Sequence, residues 1–102
     1  MCIFCDIIAG KIPSVKVYED EEIIAFNDIH PVAPTHILIA PKKHIDSIIK
    51  LEEDDTELMG KLIQVGKKIA AEKNLAGYKL IFNVGKEGGQ IIFHVHLHLL
   101  GG

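Results

Sequence analysis

The chain has 102 residues, 48% of them apolar and 25% charged, with a net charge of −3. This is the composition of one globular domain (1–102), large enough to bury a core and small enough to gain from pairing. The charge gives no electrostatic ground for a nucleic-acid or membrane-surface partner. No apolar run approaches the ~20 residues of a spanning helix, and Asp6 breaks the first apolar stretch, which argues against a signal peptide and for a cytoplasmic protein.

Residues 3–9 read as a short helix closed by Gly10. Val15–Tyr18 and Ile23–Phe26 read as two strands joined through the acidic turn Glu19-Asp20-Glu21-Glu22, and a proline-bearing loop from Asp28 to Pro34 follows. His36–Ala40 reads as a buried strand stopped by Pro41. From Asp55 to Asn74, Leu58, Leu62, Val65 and Ile69 recur at helical spacing, with Met59 and Ile63 widening the stripe. Asp54 or Asp55 can cap this helix, and Gly77 lies just past its end. Gly60 and Gly66 within it point to close packing against a helix or a second subunit. Lys79–Val84 and Ile91–Leu99 read as two more strands, linked by a glycine-rich turn at 85–89. The order predicts an α+β fold: an antiparallel sheet with one long helix and a short N-terminal helix.

Both cysteines lie in Cys2-Ile3-Phe4-Cys5. A redox pair at this spacing normally follows a strand and opens a helix within a βαβ unit. The spacing equally suits two corners of a tetrahedral zinc site, whose other ligands would come from distant histidines.

The densest chemical signal is His94-Val95-His96-Leu97-His98. In an extended strand, period 2 puts the three imidazoles on one face, roughly 6–7 Å apart, and turns Val95, Leu97 and Leu99 into the core. Three titratable rings in a row contribute little packing. A metal-binding strand competes with a catalytic one, because imidazole serves as a metal ligand and as a nucleophile near neutral pH. Gly88 and Gly89, just upstream, let the main chain pass close to an anion and can cradle it with their N–H groups.

Read with its flanks, Gly88-Gly89-Gln90-Ile91-Ile92-Phe93 before the five-residue motif and Leu99-Leu100 after it, the stretch resembles the signature of the histidine triad family. Ile3-Phe4, Phe26-Asn27-Asp28-Ile29, Pro34-Thr35-His36, Pro41-Lys42-Lys43-His44 and Phe82-Asn83-Val84-Gly85 extend the resemblance over nearly the whole chain, toward the Hint branch of nucleotide phosphoramidases. It implies a five-stranded sheet, joined to a second copy in a homodimer through the long helix and the strand near Lys79–Val84. It implies hydrolysis of purine nucleoside phosphoramidates and related adenylyl conjugates, through a nucleotidyl intermediate on His96. The carbonyl of His94 would orient His96, while His98 and His36 steady that ring or the phosphate oxygens. Asn83, Gly89 and Gln90 would lie by the phosphate and Asp28 on the ribose. Phe4, Ile7, Phe26 and Ile29 would wall the base, with Asn27 beside them. In the zinc-bearing bacterial branch, Cys2, Cys5, His44 and His94 would hold a structural zinc, with no organic cofactor.

Three other functions compete. A dinucleoside polyphosphate hydrolase of the Fhit type uses the same triad. A nucleotidylyl transferase carries Gln where His98 stands. A zinc-containing nucleotide-binding or interaction module would do no chemistry. Two features depart from the phosphoramidase pattern: Ile91 stands where that branch commonly has Ser or another polar residue, and the sequence stops at Gly102, where relatives continue into a tail that reaches the partner's site.

Overall fold

The computed structural model describes residues 2–102. The elements run α1 (Ile3–Ile8), β1 (Lys16–Glu19), β2 (Ile23–Asn27), β3 (Thr35–Pro41), α2 (Thr56–Glu72), β4 (Tyr78–Phe82) and β5 (Leu97–Gly101), with two 3₁₀ turns at Ile48–Lys50 and Glu53–Asp55 before α2. The strands form one antiparallel sheet in the order β1-β2-β3-β5-β4, as the resemblance implies. Among the described residues no helix is long and apolar enough to cross a membrane.

Alternation along the strands divides the apolar residues into two cores. On one face α2 lays Leu58, Leu62, Val65 and Ile69 against Ile23, Ile37, Ile39, Val95, Leu97 and Leu99. On the other face α1 contributes Phe4 and Ile7, which pack on Ile24, Phe26, Leu38 and Ala40. Register places Phe26 opposite Leu38, Leu38 opposite His98 and His98 opposite Ile81. That row changes from apolar to titratable where the cover of α1 ends, and the cleft opens there.

Several sequence expectations shift. Ile63 is 47% exposed and lies off the buried stripe of α2. Gly66 is buried where an added Cβ would come within 3.2 Å of both Ile39 and Leu80, so it serves helix-on-sheet packing within the chain, while Gly60 faces open space. Asp55 is the N-cap by position, but its carboxylate accepts from Glu52 N (3.0 Å) and pairs with Lys43 Nζ (2.6 Å), tying down the connection from β3. The helix closes at Asn74, in the left-handed region at φ 57°, three residues before Gly77.

The largest change is at the triad. The predicted strand Ile91–Leu99 pairs only from Leu97 onward. Pro41, at the end of the neighbouring strand, has no N–H for a ladder beyond it. Upstream, the backbone bonds elsewhere: Val95 N donates to Ile45 O (2.7 Å), Ile92 O accepts from the Gln90 amide (3.0 Å), and His94 O accepts from the His96 ring (2.7 Å). Freed from the pleat, His94 turns its ring away from the other two.

The turn from Gly85 to Gln90 carries Gly88 and Gly89. A Cβ on Gly88 would lie 2.2 Å from the Val84 carbonyl oxygen, whereas one on Gly77 meets nothing within 4 Å. Gly88→Ala should therefore lower unfolding free energy by about 1–3 kcal/mol, the usual range for overpacking. Gly77→Ala should stay within about 0.5 kcal/mol of the parent. Urea unfolding of the two variants checks the contrast.

Candidate functional site

A cleft of about 510 Å³ lies between α1, the loop after β2 and the triad. Phe4, Ile7, Phe26 and Ile29 form its apolar side; Asp28, His36, His96, His98, Asn83 and Gly89 form its polar side, with Asn27 at the rim. Ile12, Ser14 and Leu38 also line it, although as isolated residues in the sequence nothing marked them. Gln90 is placed elsewhere. Its buried amide accepts from Gly85 N (3.0 Å) and donates to Asp46 O (2.7 Å) and Ile92 O (3.0 Å), so it holds the loop together and does not face the cleft.

Hydrogen bonds fix which nitrogen of each cleft imidazole carries a proton. A carbonyl only accepts, so His96 Nδ1, 2.7 Å from His94 O, is the N–H nitrogen and Nε2 holds the free lone pair. That lone pair is the one the ring has left to offer the cleft. Burial pushes the pKa of His96 below its ordinary value of 6.5, against the opposing pull of the His94 carbonyl.

His36 Nδ1 accepts from Val32 N–H at 3.2 Å, so its proton sits on Nε2. From there it faces His98 Nδ1 at 3.0 Å and Asp28 Oδ2 at 3.3 Å. His98 Nδ1 is thereby an acceptor and its proton lies on Nε2; Asn83 Nδ2, 3.4 Å away, is itself a donor and does not take that proton, which is left for the cleft. Burial first, then the neighbouring His96 and His36, push His98 down to about 4. The cleft thus presents one lone pair from His96 and one N–H donor from His98, their ring centroids 4.9 Å apart. That spacing is shorter than a flat strand would give.

The ring of His94 belongs to a second cluster, with Cys2, Cys5 and His44. His94 Nε2 donates to Pro41 O (2.7 Å) and His44 Nε2 to Asp46 Oδ1 (2.6 Å). Each Nδ1 is therefore a lone pair, and the two face each other at 3.1 Å. Cys2 Sγ lies 3.4 Å and Cys5 Sγ 3.7 Å from His94 Nδ1, with Cys5 Sγ 3.3 Å from His44 Nδ1. Ligands at zinc distances make tetrahedral edges of about 3.3–3.8 Å. Two converging lone pairs, each oriented by an acceptor behind the ring, suit a cation between them. The four residues fit a closed metal site.

Asp28, His36 and His98 also converge, but the same test gives the opposite answer. A neutral imidazole that ligates through Nε2 carries its proton on Nδ1, and His36 Nδ1 is already an acceptor for Val32 N–H. The Asp28–His36–His98 cluster is a hydrogen-bond chain. Asp46 and the Val32 amide, which decide the two cases, were not marked by the motif; only the His44-x-Asp46 spacing hints at the first.

A family model described as the scavenger mRNA decapping enzyme C-terminal binding region matches residues 1–102. A 14 kDa zinc-binding protein of Zea mays is 48% identical over 98% of this chain and 80% of its own. The purine nucleoside phosphoramidase of Escherichia coli (strain K12) is 45% identical over 98% of this chain and 86% of its own. The crystal structure of a HIT family hydrolase from Legionella pneumophila Philadelphia 1 superposes with a TM-score of 0.98 at 51% identity, covering 100% of this chain and 93% of that one. Matched from end to end in sequence and in fold, the chain belongs to the histidine triad (HIT) family of hydrolases.

Proposed function

We propose that the protein hydrolyses purine nucleoside phosphoramidates, and that the lone pair of His96 Nε2, aimed by the His94 carbonyl, carries the reaction. The base lies among Phe4, Ile7, Phe26 and Ile29, and the ribose diol donates to Asp28. The phosphate sits against Gly89, Asn83 and the Nε2–H of His98. His96 Nε2 attacks phosphorus and the bond to the amine breaks, leaving a nucleotidyl group on His96. Water then attacks phosphorus, the bond to His96 breaks and the mononucleotide departs. The departing amine takes a proton from solvent in the first step; in the second, water gives its hydroxyl to the phosphate and returns a proton to solvent. The His98 donor lies where negative charge accumulates. The phosphoramidase activity carried by the Escherichia coli relative's name supports the reading.

Cys2, Cys5, His44 and His94 would hold zinc, which in this closed set supplies cross-linking and no chemistry. The zinc-binding name of the Zea mays relative points the same way. We further propose a homodimer through α2 and β4. The outer edge of β4 pairs with no strand among the described residues, and Ile63 and Tyr78 expose apolar surface on those two elements. Sedimentation at micromolar concentration should give twice the chain mass; a stable monomer would refute the pairing.

His96→Ala should abolish phosphoramidate turnover while mononucleotide binding persists, since Asp28, His98 and the glycine turn remain. Near-native turnover in that variant would remove the mechanism. In the parent, His96 and His98 are both held below 6.5, His98 down to about 4, so the reactive neutral rings persist into acid. The acid limb of kcat/KM, which reports the free enzyme, should therefore lie clearly below pH 6.5.

Ile91 is 86% exposed at the mouth of the cleft and has no proton to give. General-acid help is typically worth about 10²–10⁴ in rate, and its absence weighs most on poor leaving groups. Ile91→Ser should raise turnover of an alkyl phosphoramidate more than that of an activated nucleotide ester. Equal effects on both substrates would mean that the side chain only lines the mouth.

A further inference from the structure

The six residues of α1 are too few to hold a helix alone. Its backbone bonds are all local: Asp6 N to Cys2 O, Ala9 N to Cys5 O, and Lys11 N and Ile12 N to Asp6 O. No strand takes it up. Two kinds of contact dock it on the sheet. One is apolar, through Phe4 and Ile7 on Ile24, Phe26 and Leu38. The other, and the only polar one among the described residues, runs from Cys2 Sγ and Cys5 Sγ to the rings of His44 and His94.

The same helix is a wall of the cleft. Phe4 meets the His96 ring edge-on, with centroids 4.9 Å apart and planes at 83°, and meets Phe26 at 5.3 Å. His94 joins the two sites a second time, with its ring in the Cys2–His44 cluster and its carbonyl on His96 Nδ1. An ion among the four ligands therefore acts on the cleft from two directions. It pulls α1 onto the base side and fixes the residue that aims the nucleophile. Without the ion, weak S–H donation from Cys2 and Cys5 to the His94 and His44 rings and the apolar contacts of Phe4 and Ile7 are what resist undocking.

We infer that the Cys2–Cys5–His44–His94 cluster is a metal-operated latch on the nucleotide cleft, so that a zinc-class ion and a purine mononucleotide favour each other's binding. The inference rests on the reading of the cleft as a mononucleotide site. A nucleotide that binds only when α1 is docked sees its apparent affinity reduced by the undocked fraction. Linkage then requires the nucleotide to raise metal affinity by the same factor. Stabilisation of the whole fold would couple the two ligands reciprocally as well, so the pattern of amide protection distinguishes it from a latch.

The full chain, under reducing conditions, is titrated with AMP by calorimetry in zinc-loaded and zinc-free form. Zinc affinity is measured by competition with a chromophoric chelator, with and without saturating AMP. The latch predicts AMP binding weakened by about fivefold or more on zinc removal, and zinc affinity raised by that factor when AMP is present. Amide exchange should show residues 3–12 losing protection in the zinc-free protein while β2 and β3 keep theirs. Cys5→Ser should bind AMP at the weakened level whether or not zinc is added. The latch is overturned if AMP affinity is the same in both forms, if no zinc binds, or if the sheet loses protection together with α1. If neither form binds AMP, the mononucleotide reading of the cleft itself falls, and the latch with it.

Discussion

One buried histidine, His94, holds three parts of the molecule in register through three different atoms. Its Nε2 donates to the Pro41 carbonyl at the end of β3, its Nδ1 faces Cys2, Cys5 and His44, and its own carbonyl accepts from His96. The residue is 0% exposed, and burial pushes its ring pKa down. That favours the neutral ring, the state a ligand needs, and the donor bond to Pro41 leaves the lone pair on Nδ1. Each contact constrains the others. A carbonyl could aim His96 from many residues, but only one whose ring is fixed at both nitrogens can do so without wandering.

Two groups of imidazoles, His44 with His94 and His36 with His98, differ in what they can bind. The difference comes from the groups behind the rings. Acceptors behind His44 and His94, the Asp46 carboxylate and the Pro41 carbonyl, draw protons outward and turn lone pairs inward. A donor behind His36, the Val32 amide, sends its proton inward toward Asp28 and His98. Inward lone pairs make a cation site; an inward proton makes a hydrogen-bond relay. The relay leaves His98 as a donor to the cleft, the polarity that a phosphate requires.

Much of this was legible in the residue pattern. Alternation around the triad placed Val95, Leu97 and Leu99 inward, and all three are in the core beneath α2. The helical stripe of Leu58, Leu62, Val65 and Ile69 is likewise buried. Alternation misled where the chain leaves the pleat. Nothing in His-x-His-x-His announces that pairing with β3 stops at Leu97, short of Pro41, or that the first ring turns away. Gln90 looked like a phosphate ligand because it precedes the triad, but its amide is used up by three backbone partners. Such roles depend on groups more than forty positions away in the chain for Asp46, and local spacing cannot carry them.

The weakest part of the fold sits against its most demanding chemistry. Ordering a backbone residue costs about 1–2 kcal/mol, and fully burying an Ile or Phe side chain contributes about 1.5–3 kcal/mol. Only Phe4 and Ile7 of the six residues in α1 are buried, so apolar packing alone does not offset the ordering of that helix on the sheet. The sheet and α2 are in a different position, with residues such as Ile23, Ile37, Leu62 and Leu99 at 0–1% exposure. A marginal wall can open to admit a base and close over it, provided something else sets how often it is closed. Two cysteines in the first turn of that wall, pointed at two histidines anchored in the stable part, supply that setting.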